Sequence, residues 1–355
     1  MSVIYGLGLL FFLVVGMVWN RNLPLLILCV VCSLLWGGFA PLGAHGSLFG
    51  VIRLWCVCLF IFGPLWAGLV GFCLHRVAPR VAKGVWFLGI LLILVGVDAF
   101  FIEPVWLQVS TVEVRSPRLK QPLRVALLAD IQTDDVGQWE QSVFETMMAA
   151  KPDLIVIAGD TLQVSAAQWE EQQRAFVHAW RSAGVSAPLG VIAVQGNTDA
   201  AAWDTLYAQL GVHANSRTTR HSMGAISVTA LSERESFDDH LTLSRPNRSF
   251  HLVLGHSPDF ALGAVDADLL LAGHTHGGQI QLPFVGPLLT FARVPRSWAS
   301  GVTALPDGGT LVVSRGIGME RSDAPRIRFL CRPELVILDL LPEKPAPDIE
   351  SGEDA

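Results

Sequence analysis

Four apolar runs near the start of the chain constrain it more than any other feature: roughly Val3–Trp19, Leu23–Leu42, Leu54–Leu74 and Val85–Ile102, with Asp98 the only charged side chain inside them. Each is long enough to cross about 30 Å of hydrocarbon as a helix. Residues 1–102 are therefore expected to form a four-helix transmembrane anchor. No basic residue precedes the first run and no small-residue cleavage site follows it, so it reads as a retained anchor and not as a signal peptide. Trp19, Trp36, Trp55, Trp66 and Trp86 fall mostly toward the ends of the runs, where amphipathic rings favour the membrane interface. Asp98 lies four residues from the end of its run, within reach of the headgroups; deeper in the bilayer an acid would mark a functional site.

Charge divides the chain in the same way. Residues 1–102 hold five basic side chains (Arg21, Arg53, Arg76, Arg80, Lys83) and one acid. Of the 25 basic and 31 acidic residues in the chain, 20 and 30 remain beyond that point, a net charge of −10. An acidic back half without a Lys/Arg run excludes nucleic acid as an expected partner. Arg21 in the first loop and Arg76, Arg80 and Lys83 in the third put those loops in the cytoplasm, and the rest of the chain outside it. Arg115, Arg118 and Lys120, just past the last run, argue for the opposite placement. Cys29, Cys32, Cys56, Cys58 and Cys73 lie in apolar runs and Cys331 stands alone, which leaves no disulfide framework in the polar half.

From Leu123 the pattern changes to short β-rich runs separated by amphipathic stretches. Leu123–Ala129, Asp153–Ala158, Pro188–Val194, Ala225–Leu231, Phe250–Leu254 and Asp268–Leu271 read as buried strands, and Trp139–Ala150, Ala166–Ala183 and Ala202–Leu210 as helices. Thr310–Ser314 and Glu334–Leu340 add strands with no helix between them. Residues 103–341 are thus expected to form one layered α/β domain with a β-rich end, and residues 342–355 an acidic, disordered tail.

The polar residues suited to chemistry stand where these strands end: Asp130 and Gln132, Gly159-Asp160, Gly196-Asn197-Thr198-Asp199, Gly255-His256, and Gly273-His274-Thr275-His276-Gly277-Gly278-Gln279. In an α/β sheet such ends form one rim where ligands bind. Carboxylates, an amide and imidazoles together suit two borderline divalent cations such as Mn²⁺, Zn²⁺ or Fe²⁺. The other histidines, at 45, 75, 178, 213, 221, 240 and 251, fit no such motif.

This series resembles the calcineurin-like metallophosphoesterases, with motifs D-x-H, G-D-x, G-N-H-[DE], G-H and G-H-x-H. It is closest to a membrane-anchored bacterial branch that reads G-H-T-H-G-G-Q and later S-R-G-x-G, matched here by Ser314-Arg315-Gly316-Ile317-Gly318. The resemblance spans roughly Arg124–Leu340. It implies a four-layer α-β-β-α sandwich behind the four transmembrane helices, and two divalent metal ions. One would be held by Asp130, Gln132, Asp160 and His276, the other by Asp160, Asn197, His256 and His274. Asp160, Asn197 and His256 would take part in catalysis, with Arg315 contacting a substrate phosphate through its planar fork. The implied enzyme is a multi-pass phosphohydrolase of the bacterial inner membrane, acting on a phosphorylated or pyrophosphate-linked lipid. The alternative is a weakened site that binds or senses a phosphate ligand.

Two positions depart from the family pattern. Gln132 stands where the first motif has His, and an amide oxygen is a harder, weaker donor than imidazole. Thr198 replaces the His of G-N-H, which removes an acid that would protonate the leaving group. The lipid-A-pathway pyrophosphatases that cleave UDP-diacylglucosamine similarly lack His there.

Overall fold

The computed structural model describes residues 47–214 and 216–343. The first two apolar runs, His45 and nearly all of the acidic tail lie outside these residues. The chain forms two compact units: the apolar helices together with Glu320–Ile327, and the remainder from Pro104.

In the first unit, α1 (Leu48–Val57) continues through a π-helical turn, Cys58–Phe62, into α2 (Gly63–Leu74). After a short turn, α3 (Pro79–Val97) continues through Asp98–Ile102 to Val105. The resulting spans, Leu48–Leu74 and Pro79–Val105, are each 27 residues and long and apolar enough to cross a membrane. Both start earlier than the third and fourth apolar runs. Ser47 caps the first by accepting from Gly50 N–H at 3.1 Å, and Pro79 occupies the first turn of the second. Caps therefore set these helix starts, and hydropathy does not.

The second unit follows in chain order: β1 (Gln108–Ser116), β2 (Leu123–Leu128), α4 (Gln138–Ala149), β3 (Leu154–Ile157), α5 (Trp169–Ser182), β4 (Val191–Ala193), α6 (Trp203–Ala208) and β5 (His213–Ala214). Next come β6 (Thr219–Met223), β7 (Ile226–Ala230), α7 (Glu233–Ser236), β8 (Thr242–Leu243), β9 (Phe250–Leu254), β10 (Ala264–Val265) and β11 (Leu269–Ala272). The chain ends in β12 (Gln281–Leu282), β13 (Gly286–Pro287), β14 (Gly301–Ala304), β15 (Thr310–Val313) and β16 (Glu334–Pro342).

Two six-stranded mixed sheets result, ordered β1-β16-β2-β3-β4-β5 and β14-β15-β11-β9-β7-β6. β2, β3, β4 and β5 are mutually parallel, as are β7, β9, β11 and β15. Val125, Leu127, Val156 and Ile192 of the first sheet meet Val228, Leu252, Leu271 and Val312 of the second in one core. The alternate residues Ala126, Leu128, Ile155 and Ile157 pack under α4, α5 and α6 with Phe144, Phe176, Trp180 and Tyr207. Both faces of β2 and β3 are therefore buried, which is why they read as unbroken apolar runs.

The four-layer expectation needs one correction. The outer face of the second sheet, with Val253, Leu270 and Leu311, packs against Leu241, Phe260, Val265 and Leu305. Phe260 comes from the 3₁₀ turn Pro258–Leu262, Val265 from β10, and Leu241 and Leu305 from loops, so among the described residues no long helix forms a fourth layer there. β16 also runs through Pro342, opposite Ser116, one residue into the expected tail.

Candidate metal centre

The rim where parallel strands of both sheets end gathers the loops after β2, β3, β4, β9, β11 and β15. Backbone bonds fasten these loops together: Ile317 N–H donates to Ala129 O at 2.9 Å and Gly318 N–H to Asp130 O at 2.7 Å across the two sheets, and Gly273 N–H donates to His256 O at 2.9 Å between neighbouring loops of the second. His274 N–H donates to both carboxylate oxygens of Asp130, each at 3.0 Å. A Cβ at Gly273 would stand 2.6 Å from Asp130 Oδ2, so only glycine allows this approach. Asp130, Gln132, Asp160, His274 and His276 all adopt left-handed backbone, with φ of 47°, 37°, 53°, 68° and 49°. Non-glycine residues visit this region uncommonly, and such strain clusters at functional sites.

Asp130, Asp160 and His256 are buried, and their ligand-bearing atoms lie within 4.8 Å of one another. His256 Nδ1 is 2.7 Å from Ala158 O, which can only accept, so that nitrogen carries the proton and Nε2 its lone pair. Nε2 in turn faces Asn197 Oδ1 at 2.9 Å and Asp160 Oδ2 at 3.4 Å. Three electron-pair donors thus converge at spacings close to the roughly 3 Å between adjacent ligands of a cation with bonds near 2.1 Å. Thr198 N–H donates to Asp160 Oδ1 at 2.8 Å and fixes that carboxylate, while the Thr198 hydroxyl is buried without a hydrogen bond.

The electrostatics agree. Burial, and then the charge of Asp160, raise the Asp130 pKa well above the carboxylate range, against the opposing pull of the His274 N–H and of Arg328. Burial lowers His256 to about 4, and burial with the neighbouring His256 lowers His274 to about 4. Imidazoles held neutral keep their lone pairs available to a cation, and crowded buried carboxylates, whose ionised form burial and mutual repulsion disfavour, would be relieved by a positive charge placed between them. This donor set therefore fits divalent metal.

The remaining expected residues occupy distinct places. The His274 ring lies edge-on to His256, centroids 5.0 Å apart, and to Phe237 at 4.8 Å, and its Nε2 reaches Phe291 O at 3.2 Å. His276 is buried one turn on, its carbonyl accepting from the Cys331 thiol at 3.2 Å. Gln132 Nε2 donates to Gln163 Oε1 at 3.0 Å, which fixes the end of the amide that its carbonyl occupies. Arg315 spends its fork on Glu334, at 3.2 and 3.1 Å.

Three supporting residues carried no assigned role in the sequence reading. Asp199 accepts from the backbone N–H of Asp160, Thr161 and Gly196 at 2.9, 2.7 and 2.8 Å, tying two rim loops together. Burial and then Asp160 push its pKa up to about 7. Tyr207 of α6 shares a 2.7 Å hydrogen bond with the Thr161 hydroxyl. Arg328, fully buried, donates to the carbonyls of Arg315, Gly318 and Cys331 at 2.8, 3.1 and 2.9 Å and so holds the loop that backs Asp130. Asp199 ends a motif that names its residue type, but Tyr207 and Arg328 leave no signal in one sequence.

A strand-end rim carrying buried carboxylates and neutral imidazoles across two sheets defines a metal-dependent hydrolase. Residues 123–278 match the family described as calcineurin-like phosphoesterase. The chain is 31% identical over 264 residues to the uncharacterized metallophosphoesterase YkuE of Bacillus subtilis, covering 68% of this chain and 88% of that one. It is 38% identical over 93 residues to the phosphodiesterase YaeI of Escherichia coli, covering 25% of this chain and 32% of that one. An uncharacterized metallophosphoesterase of Campylobacter jejuni, Cj0846, is 25% identical over 256 residues, 67% and 64% of the two chains. The chain belongs to the calcineurin-like metallophosphoesterase family and is a hydrolase of phosphoesters.

Proposed function

We propose that the chain is a two-metal phosphohydrolase of the bacterial inner membrane, anchored by multiple crossings, that acts on a phosphorylated or pyrophosphate-linked lipid. The convergence of Asp160, His256 and Asn197 carries the metal-dependent reading, and the two 27-residue apolar spans support the anchored one. One metal would take Asp130, Gln132, Asp160 and His276, and the other Asp160, Asn197, His256 and His274. Divalent cations bound there supply positive charge against the charge that develops on phosphorus and depress the pKa of water. Asp160, fixed by Thr198 N–H, would serve both positions. Ala158 O orients His256 so that Nε2 faces the centre. Loop charges favour an extracytoplasmic catalytic domain.

Thr198 bears on the substrate. Its hydroxyl has too high a pKa to deliver a proton at neutral pH, so the departing oxygen leaves with most of its charge. Pyrophosphates and aryl esters should then outrun alkyl phosphates. The test is a series of substituted aryl and alkyl esters and a pyrophosphate-linked lipid in mixed micelles, each turned over by the purified full chain with Mn²⁺. A steep dependence on leaving-group pKa, flattened by Thr198→His, is expected. Equal rates for alkyl and aryl esters would show that another residue supplies the proton.

A further inference from the structure

Immediately after the Gly273–Gln279 motif the chain forms the small hairpin of β12 and β13, pairing Gln281 with Pro287 and Leu282 with Gly286. Its tip and its descending arm expose Leu282, Phe284, Val285, Leu288, Leu289 and Phe291, with Phe284 109% exposed. Six large apolar side chains in the ten residues from Leu282 to Phe291 exceed the scattered exposure of an ordinary soluble surface. Phe284 also has φ of 66°, a left-handed conformation that a bulky residue rarely takes. A glycine would hold this turn without strain, so an aromatic ring is presented there at a conformational cost.

The hairpin is fastened at its base. Gln281 N–H donates to Phe329 O at 2.9 Å and Phe329 N–H to Gln279 O at 2.9 Å. Phe291, where the apolar arm ends, offers its carbonyl to the His274 ring. The exposed surface is thus continuous with the candidate metal centre.

We propose that this hairpin inserts into the interfacial region of an anionic phospholipid bilayer and sets the metal centre against the membrane surface. Three observations select a bilayer as the occupant. No carboxylate occurs from Ile280 through Thr303, and of the two arginines that follow the apolar arm Arg293 is paired with Asp239 at 2.7 Å while Arg296 reaches only the Pro287 carbonyl at 3.4 Å and keeps its charge for anionic headgroups. β1 starts only two residues, Trp106 and Leu107, beyond the apolar span that ends at Val105, a tether of about 10 Å at most. Within that tether Trp106 is exposed, with the Arg332 guanidinium 4.1 Å above its ring, an aromatic and cationic pair suited to the headgroup layer. The inference rests on the anchored reading above and adds the surface by which the catalytic domain would meet lipid.

The test uses the full chain reconstituted in phosphatidylethanolamine/phosphatidylglycerol vesicles. Phe284→Trp adds one indole at the tip; its emission, taken as the difference from the unsubstituted chain, should be blue-shifted and fall about twofold when the acyl chains are brominated. An unquenched, red emission overturns the insertion. Blue-shifted emission that bromine leaves unchanged, with Phe284→Cys chains cross-linking to one another, assigns the face to a second copy and equally overturns it. In a second arm, Phe284→Ser combined with Leu288→Ser should lower hydrolysis of a vesicle-borne phospholipid ester about tenfold and leave a soluble aryl ester unchanged. Equal effects on both esters would refute the docking role. If the unsubstituted chain hydrolyses neither ester, the proposed function fails, and bromine quenching still decides the hairpin.

Discussion

Five of the seven expected metal ligands hold left-handed φ without being glycine. At about 1–3 kcal/mol each, such strain persists only where neighbouring bonds enforce it. Asp130 has its carbonyl bound by Gly318 and its carboxylate by His274, and Asp160 has its N–H bound by Asp199 and its carboxylate by Thr198. The side chains are therefore preset, and removing one leaves a gap that no relaxed rotamer fills. Asp160→Asn and His274→Ala are expected to lower hydrolysis at least about 100-fold and to lower bound metal, measured by elemental analysis of the purified protein. Unchanged turnover in either variant would count against the centre. Gln132→His places imidazole where an amide stands and should raise metal occupancy at limiting Zn²⁺ or Mn²⁺. A lower stoichiometry would show that the pocket, including Gln163, is built around the amide.

Among the secondary-structure elements, legibility followed burial. β2, β3, β4, β7, β9, β11 and β15 lie inside the sheets, so their apolar runs mark them, and Phe250–Leu254 matches its expected limits. β1, β6 and β14 are edge strands with one face open, and their polar alternation leaves little signal. His251, which fitted no ligand motif, joins two inner strands. Its Nδ1 donates to Asp266 O at 2.7 Å, and its Nε2 is 2.8 Å from the Thr229 hydroxyl, which donates to it. Burial lowers its pKa, the Asp266 carbonyl opposes that, and Arg245 and Arg220 add to the lowering. The unfolded chain therefore binds a proton below about pH 6.5 that the folded chain refuses, so stability falls as pH drops through that value toward the lower folded pKa. His251→Gln should weaken this acid sensitivity, measured as the unfolding midpoint at pH 7 against pH 5.5. An identical pH dependence in the variant would exclude His251 as its source.

Across the whole molecule, metal and fold are linked, because the donors come from loops of two sheets and meet only when both have formed. A cation at 100 times its dissociation constant stabilises the native state by about 2.7 kcal/mol, so chelation should lower the unfolding midpoint of the strand-rich unit by roughly 5–10 °C. Circular dichroism with and without chelator measures this, and an unchanged midpoint despite metal loss would mean that the folded state does not build the site. The sequence by itself determined the two described apolar helices, the inner strands, and which residue types stand at strand ends, because burial and turn chemistry are local and leave periodic or adjacent marks. Tertiary structure alone decided the rest: β16 entering between β1 and β2 from more than 200 residues away, the Arg328 clasp behind Asp130, the Asp199 tie between two loops, and Arg315 turned onto Glu334. Those contacts join residues far apart in the chain, and a single charged or polar side chain carries no mark of the distant partner that satisfies it.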